Sequence, residues 1–580
     1  MFRLKKSVKL PDYVKKKIWL DYYPKDFPKE IEIPENMSLP DIFDESVEKW
    51  GDDVFRIFYG KEYTRRQIQD WAKRLATALY NLGVRKGDVV AIYLPNSPQF
   101  ITSYSAILRI GAVVTPISPL FVPREVAYQL NDSRAETIIT TDLFYDKVKQ
   151  IKDETLLKHV IICNLQGEKL QVPKEDLDEV LNYDELLEKT PPNPPKVKIK
   201  PKEDVAVLQY TGGTTGLPKG AMLTHYNIIA DGHQLGTVSE ALNKKLGIER
   251  SIAICVLPWY HIYGQITDVI IPHLRNTFAV CFAQFDPVLV LEAIQKYKPN
   301  LMAVVPTLLA FLLMHPKSRD TDFSSLKYVV AAASPASIEL TKQWNSVSGN
   351  PLSEGYGLTE ASPSTHNRCA LLFGDVPGSI GPPLPNTLAG IVDPETNDFL
   401  PIGEVGELVI SGPQVMKSYW NRPEDTKKVF FKAGGKRWLK TGDIGKMDEK
   451  GYFYILDRTK DIIKYKGHSV YPREIEEVLY QHEAVLDAAV IGVPDPETGE
   501  QIKAFVVLKP EFKGKVQEDD ILDWCKERMG ADKYPRYVEF RDFVPRSLIG
   551  KALRRVLREE EAKKAQAAEK APEIKKAEII

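Results

Sequence analysis

From about residue 40 the chain alternates between stretches with apolar residues every three or four positions and short runs that are apolar throughout. Trp71, Leu75 and Leu79 recur at helical spacing. Thr64-x-x-Gln67 forms a capping box ahead of them, and Gly83 suits the C-terminal cap. VVAIYL (89–94) reads as a buried strand. Ser97-Pro98 then supplies an N-cap and a proline in the first turn of the next helix, which Gly111 closes before the strand AVVTPI (112–117). REVAYQL and TIITT (137–141) continue the alternation. Strand–helix units joined by short turns predict parallel sheets covered by helices.

The polar, proline-rich stretch KTPPNPPKVKIKPKED (189–204) reads as a surface connector between two such blocks, and the alternation resumes after it until about residue 457. The texture then changes. YPREIEEVLYQH (471–482) predicts a helix, AVLDAAVIGV (484–493) and QIKAFVVL (501–508) strands joined by PDPETGE, EDDILDWCKERM (518–529) a second helix, and YVEFRDFV (537–544) a short strand. These hundred or so residues form a small α+β domain. The last residues alternate charge blocks with alanine, as a frayed or disordered helix would, and no internal repeat is seen. The fold class is therefore α/β: a large N-terminal domain of helix-covered sheets with a small C-terminal α+β domain. The boundaries read as an extension over 1–40, a large domain over 41–457, a connector over 458–461, a small domain over 462–558 and a charged tail over 559–580.

Composition narrows the function classes. A chain of 580 residues exceeds what one core usually supports, and 43% apolar with 27% charged residues is a globular profile. A net charge of −1 offers no global field for nucleic acid. The five cysteines are scattered without a CxxC pair, which indicates neither a disulfide framework nor a zinc site and fits a reduced, cytoplasmic setting. The longest apolar run, 301–314, is too short to span a bilayer, contains Pro306, and reads as buried core. The basic N-terminus lacks the apolar stretch of a secretory signal. Basic residues near both ends read as solvated, with peripheral membrane contact the other option.

The chemistry concentrates in a few segments. YTGGTTGLPKGAMLTH (210–225) follows an apolar strand-like run and packs four glycines, four threonines and Lys219 together. Its spacing is not that of a P-loop, yet glycines that let backbone N–H groups converge, hydroxyl donors and a mobile cation are the parts of an anion nest. Composition alone leaves a plain surface loop equally open. EGYGLTE (354–360) adds an aromatic face and a carboxylate suited to Mg²⁺ near phosphates. TGD (441–443) and DRTKDIIKYKG (457–467) add a carboxylate and an arginine, natural partners for ribose hydroxyls, although either alone reads as a solvated turn charge.

With LPWYHIYG (257–264), GELVISGP (406–413) and PRSLIGK (545–551), these segments in this order resemble the ANL adenylate-forming superfamily over roughly residues 40–560. That superfamily comprises acyl- and aryl-CoA synthetases, nonribosomal adenylation domains and firefly luciferase. The resemblance implies an acetyl-CoA synthetase-like fold with a mobile C-terminal domain. It implies that Thr211, Gly212, Gly213, Thr214, Thr215, Gly216 and Lys219 wrap the phosphates of ATP, with Thr211 beside the metal. Ala333, Ser334, Gly355 and Gly357 would line the nucleotide site, Tyr356 would stack near the adenine, Thr359 would approach the α-phosphate, and Glu360 would hold Mg²⁺. Asp443 and Arg458 would grip the ribose, Lys460 would be the hinge, and Lys551 would bridge carboxylate and α-phosphate. His261 would lie at the junction of acyl pocket and thiol tunnel, and Gly467 beside the pantetheine arm of coenzyme A. Ala332, Ala333 and Ser418 depart from a pattern that often has glycine there.

The implied chemistry has two steps. A carboxylate attacks the α-phosphate of ATP to give acyl-AMP and pyrophosphate, with Mg²⁺, Lys551 and the loop offsetting the repulsion of two anions. A thiol then attacks the acyl carbonyl and releases AMP. Lys551 serves the first step and Gly467 the second, which a swing at Lys460 would exchange. No carrier domain follows residue 560, so free CoA is the expected acceptor. LDYYPKDFPKEI, IYLPNSPQF and GHSVYPREIEEVLYQHEAV look most like the fatty acyl-CoA ligase branch, with a medium- or long-chain fatty acid as substrate. An aryl or hydroxy acid is the alternative. A non-catalytic nucleotide- or acyl-binding protein would have lost Lys219, Glu360 and Lys551, and all three are present.

Overall fold

The computed structural model describes residues 8–211, 217–546 and 551–577. The expected loop residues Gly212, Gly213, Thr214, Thr215 and Gly216 therefore lie outside the described residues.

Two mostly parallel sheets form the large N-terminal unit. The seven-stranded sheet runs, edge to edge, through Leu181–Asn182, His159–Cys163, Thr137–Thr141, Val89–Tyr93, Val113–Pro116, Val205–Thr211 and Lys219–Thr224; only the last pair is antiparallel. The eight-stranded sheet orders Ser364–Arg368, Leu352–Gly357, Tyr328–Ala331, Leu301–Val304, Ile252–Cys255, Phe278–Cys281, Val54–Phe58 and Lys61–Thr64, parallel except at both edges. Val90 and Ile92 face one core and Val89, Ala91 and Tyr93 another, the two-residue period of a strand buried on both faces. One face of each sheet shares a single core with Leu75, Leu79, Phe100 and Ile107 of the helices Arg65–Asn81 and Pro98–Arg109. Both helices start as their caps predict: Thr64 accepts from the Gln67 N–H, and Ser97 from the Phe100 N–H.

The alternation does not continue to residue 457. Residues 388–458 instead form a five-stranded antiparallel sheet of Leu388–Val392, Gly406–Ser411, Lys436–Met447, Phe430–Ala433 and Phe453–Arg458. Gly434 (φ 55°) and Gly435 (φ 73°) make the tight turn from Phe430–Ala433 into Lys436–Met447, a double-glycine hairpin signal. The run 301–314 is not one element either. Pro306 ends the strand at Val304 and opens the helix Pro306–Met314, whose Phe311 and Met314 are exposed.

The N-terminal segment packs against the large unit. Trp19 is 1% exposed and lies over Gly451, where an added Cβ would come within 2.8 Å of the tryptophan. From Ile463 onward a separate sheet forms, with Gly499–Leu508 at its centre and the helices Pro472–Tyr480 and Glu518–Arg528 packed on it. YVEFRDFV is strand only over Tyr537–Phe540. The tail is the end of a helix, Arg554–Ala577, so no break falls at 558. Its first turns are pinned by Arg541–Glu560 (2.6 Å), Lys503–Glu561 (2.7 Å) and Lys564–Glu539 (2.8 Å).

Candidate active site

The parallel strands Val205–Thr211 and Leu352–Gly357 end at one cleft, at the carboxyl ends of the two sheets, where α/β folds bind ligands. Thr211 ends its strand and stands in register with Lys219 on the neighbouring antiparallel strand, so the glycine–threonine loop connects these two residues. Lys219 is held at one side: Nζ lies 3.0 Å from the Asp425 carboxylate and 5.5 Å from the centre of the Tyr419 ring. Lys219 in turn holds the Asp425 carboxyl below its ordinary range. Tyr419 comes to this place because residues 417–420 pair with the strand Lys219–Thr224: the Lys417 N–H donates to the Met222 carbonyl, and the Trp420 N–H to the Gly220 carbonyl, at 2.9 and 2.8 Å. Ser418 accepts there from the Met222 N–H at 2.9 Å, and its backbone φ is not positive, so the site does not need the glycine often found at this position.

The segment 354–360 delivers its groups by backbone geometry. At Gly357 a Cβ would stand 1.8 Å from the Pro363 carbonyl oxygen, so only glycine lets the strand pass. The Tyr356 hydroxyl donates to Asp443 Oδ2 at 2.5 Å, and its ring meets His366 edge-on at 5.8 Å. Arg458 Nε lies 3.0 Å from Asp443 Oδ1. Asp443 and Arg458 are register partners on adjacent antiparallel strands, which is why a carboxylate and a guanidinium fifteen positions apart meet. Thr359 and Glu360 occupy a short 3₁₀ turn, and Glu360 Oε1 accepts from the Tyr419 hydroxyl at 2.6 Å. Gly355 faces Ala332, with a Cβ there at 3.4 Å from the alanine's own.

Ala333 sits at φ 70°, in the left-handed region that glycine adopts at less cost, so the departure from glycine noted in the sequence carries backbone strain. The loop of Ala333 and Ser334 is braced from behind. Glu354 accepts from the Ala336 N–H at 3.0 Å and from Arg368, itself 2% exposed, at 3.2 Å.

Lys551 enters this cleft from the C-terminal unit. Burial and the nearby Arg458 guanidinium push its ammonium down to about 8, against the pull of Asp443 and Glu360. His261 caps the short helix Ile262–Gly264, its Nδ1 accepting from the Tyr263 N–H at 3.2 Å. Burial, then Lys551, push its imidazole down to about 4, so it is neutral at ordinary pH. Lys551, Asp443, Arg458, Glu360 and His261 thus share one electrostatic neighbourhood drawn from five separate segments. Lys460, with its surface exposed in the turn after Arg458, stands at the edge of this neighbourhood: burial and then Arg458 push its ammonium down to about 8, and it helps depress Lys551. One expected residue stands apart from it. Gly467 (φ 82°) lies with Lys466 (φ 49°) in the exposed tight turn of the hairpin Ile463–Tyr465/His468–Val470.

Among the described residues no cluster of three or more His, Cys, Asp or Glu could cage a metal ion. Glu360 is a single carboxylate with one oxygen engaged by Tyr419. That donor set fits a hard cation carried mainly by water and phosphate oxygens, as Mg²⁺ is in phosphate-transfer sites, and does not fit a resident metal. Sequence reasoning passed over Tyr419, Asp425, Glu354 and Arg368. Glu354 stood inside the quoted 354–360 motif, and Tyr419 beside Ser418, which was noted only for the glycine often found there.

A cleft at the carboxyl ends of parallel sheets, with a carboxylate–arginine pair and a lysine brought in by a separate C-terminal unit, defines the adenylate-forming class. A family model described as AMP-binding enzyme matches residues 43–420, and one described as AMP-binding enzyme C-terminal domain matches 474–551. The chain is 40% identical over 568 residues to a long-chain-fatty-acid–CoA ligase of Bacillus subtilis, covering 94% of this chain and 98% of that protein. It is 36% identical over 569 residues to one of Escherichia coli, with the same coverage of each. Among solved structures it is similar to ATP-bound MatB from Rhodopseudomonas palustris, with TM-score 0.79 and 27% identity over 90% of this chain and 99% of that one. It is also similar to a long-chain-fatty-acid-CoA ligase from Archaeoglobus fulgidus, with TM-score 0.66 and 30% identity over the same shares. The chain belongs to the AMP-binding enzyme family.

Proposed function

We propose that this protein is an ATP-dependent fatty acid–CoA ligase that activates a medium- or long-chain acid as acyl-AMP and passes the acyl group to coenzyme A. The observation that carries this reading is the convergence of Lys551 on Glu360, Asp443 and Arg458. The near full-length identity to long-chain-fatty-acid–CoA ligases supports the choice of acid and acceptor.

Oxide is a poor leaving group, so the free acid must first be converted to a mixed anhydride with AMP. Two anions then have to meet. Lys551 places a cation between the acyl carboxylate and the α-phosphate, and Lys219, released from Asp425, follows the outer phosphates with Thr211 and the glycine–threonine loop. Asp443, steadied by Tyr356 and Arg458, receives the ribose hydroxyls, while Ala333, Ser334 and Gly355 border the base. Thr359 donates toward the α-phosphate. Mg²⁺, when bound with the phosphates beside Glu360, neutralises charge that develops on them. No side-chain nucleophile is required; position and field suffice.

For the second step the C-terminal unit turns about Lys460, withdrawing Lys551 and bringing the Gly467 hairpin toward the cleft to pass the pantetheine arm. His261, kept neutral chiefly by burial, borders the acyl carbonyl without adding charge to the thiol path. The test is pyrophosphate release from a panel of fatty, aryl and hydroxy acids, with and without CoA. Pyrophosphate and acyl-CoA formed best with long-chain acids is the expected result, and preference for an aryl acid would overturn the substrate reading. Among the described residues no helix is long and apolar enough to cross a membrane.

A further inference from the structure

Three residues past Lys551, Arg554 gathers three carboxylates around one guanidinium. Nη2 makes a bidentate contact with Glu476 at 2.8 and 2.9 Å, and Nη1 approaches Asp461 at 3.4 Å and Asp457 at 3.6 Å. Arg558, one turn later, takes the other oxygen of Asp461 at 3.0 Å. The group is shielded from water: side-chain exposure is 14% for Arg554 and 3% for Asp457. Its members come from opposite sides of the turn at Lys460. Asp457 belongs to the strand Phe453–Arg458 of the large unit, Asp461 follows the turn, and Glu476 lies on the helix Pro472–Tyr480 of the C-terminal unit. The same helix adds a second tie, since the Arg473 N–H donates to Asp457 Oδ2 and its Nη1 to the Ile455 carbonyl, both at 2.9 Å.

We propose that Arg554 is a positioning residue, and that its pairing with Asp457 across the Lys460 turn latches the C-terminal unit in the orientation that carries Lys551 into the cleft. The inference rests on the two-step reading above. Any rotation about Lys460 moves Glu476, Asp461 and Arg554 together and leaves Asp457 behind. The guanidinium therefore keeps two partners in either arrangement, and only the Asp457 contact depends on the state. A contact made in one of two arrangements shifts their populations, whereas contacts made in both do not. Arg554 is also placed to transmit this choice, because only two residues separate it from Lys551.

The experiment uses the full chain with Asp457→Asn, Arg554→Gln and Arg554→Lys. Pyrophosphate release in a single turnover with a long-chain fatty acid is compared with acyl-CoA formation from added acyl-adenylate. Limited trypsin cleavage after the exposed Lys460 and a melting curve are recorded for each variant. The latch predicts that Asp457→Asn slows pyrophosphate release about tenfold while acyl-CoA formation holds or rises, with faster cleavage at the turn. Arg554→Gln should act in the same direction, and Arg554→Lys should recover part of the loss. An unchanged ratio of the two half-reactions in Asp457→Asn, whether both fall or neither does, overturns the latch, since a structural role lowers both alike. Failure of the unmodified protein to release pyrophosphate with any fatty acid overturns the functional reading instead. In that case the trypsin comparison still decides the latch, and unchanged cleavage counts against it.

Discussion

The hydroxyl of Tyr356 donates to the Asp443 carboxylate at 2.5 Å, joining the end of the strand Leu352–Gly357 to an antiparallel sheet 87 residues away. Arg458 holds the other carboxylate oxygen at 3.0 Å, so Asp443 has one oxygen fixed by a neutral donor and the other by a cation. Its direction is set before any nucleotide arrives.

That arrangement makes a nucleotide-specific prediction. Asp443→Ala should raise the KM for ATP on the order of tenfold to a hundredfold, the scale of a charged hydrogen bond lost at a binding site. Tyr356→Phe should raise it by about a factor of ten or less, because only the orienting donor goes. ATP titration at saturating acid checks both, and an unchanged ATP dependence in the two variants would place the nucleoside elsewhere.

Lys551→Ala should slow acyl-adenylate formation on the order of 10²–10³-fold, the usual cost of removing one transition-state charge contact. Thioester formation from preformed acyl-adenylate should be largely spared. Equal damage to both half-reactions removes Lys551 from its assigned role.

The depressed ammonium of Lys551 gives a pH limb. Its cationic form is the one required, and it loses its proton as pH rises through about 8. kcat/KM for ATP, read as pyrophosphate release, should therefore fall above that pH. Lys551→Arg, whose guanidinium stays charged, should move the limb to higher pH even where the rate itself is lower. A limb that stays in place in Lys551→Arg belongs to another group.

Lys460→Pro should separate the half-reactions. Proline fixes φ near −65° and removes an N–H from a turn that has to adopt two conformations. Pyrophosphate release in a single turnover should survive better than acyl-CoA formation from added acyl-adenylate, with a melting curve as the control. Loss of both together in a stable variant, or of neither, would falsify the pivot.

Gly357→Ala tests the fold of the site directly. A methyl group 1.8 Å from the Pro363 carbonyl cannot be accommodated without moving backbone, so stability should drop by about 2–4 kcal/mol in chemical denaturation. A variant as stable as the parent would show that the strand end can shift freely.

Caps and periodicity marked the helices Arg65–Asn81 and Pro98–Arg109 because their signals are local. The five-stranded sheet of residues 388–458 was not legible by the same route. Its strands are nearly continuous apolar runs or mixed hairpins, which resemble parallel-strand segments until their partners are known. Its double-glycine turn at Gly434 and Gly435 was the local signal available. The tail likewise read as frayed, since the bases that pin Glu560 and Glu561 are Arg541, just past the strand Tyr537–Phe540, and Lys503, on the strand Gly499–Leu508 58 residues back.

The sequence alone determined the residue types of the cleft and their order, because charge and donor chemistry belong to each side chain whatever surrounds it. The need for glycine at Gly357 comes instead from the Pro363 carbonyl that the fold sets against it. Tertiary structure alone decided the pairings: Asp425 with Lys219, Tyr419 with Glu360, Arg554 with Asp457, and Lys551 with the groups of the large unit. Those depend on strand order and on the orientation of the C-terminal unit, and a lone charge in a turn carries no record of the partner that burial will bring to it.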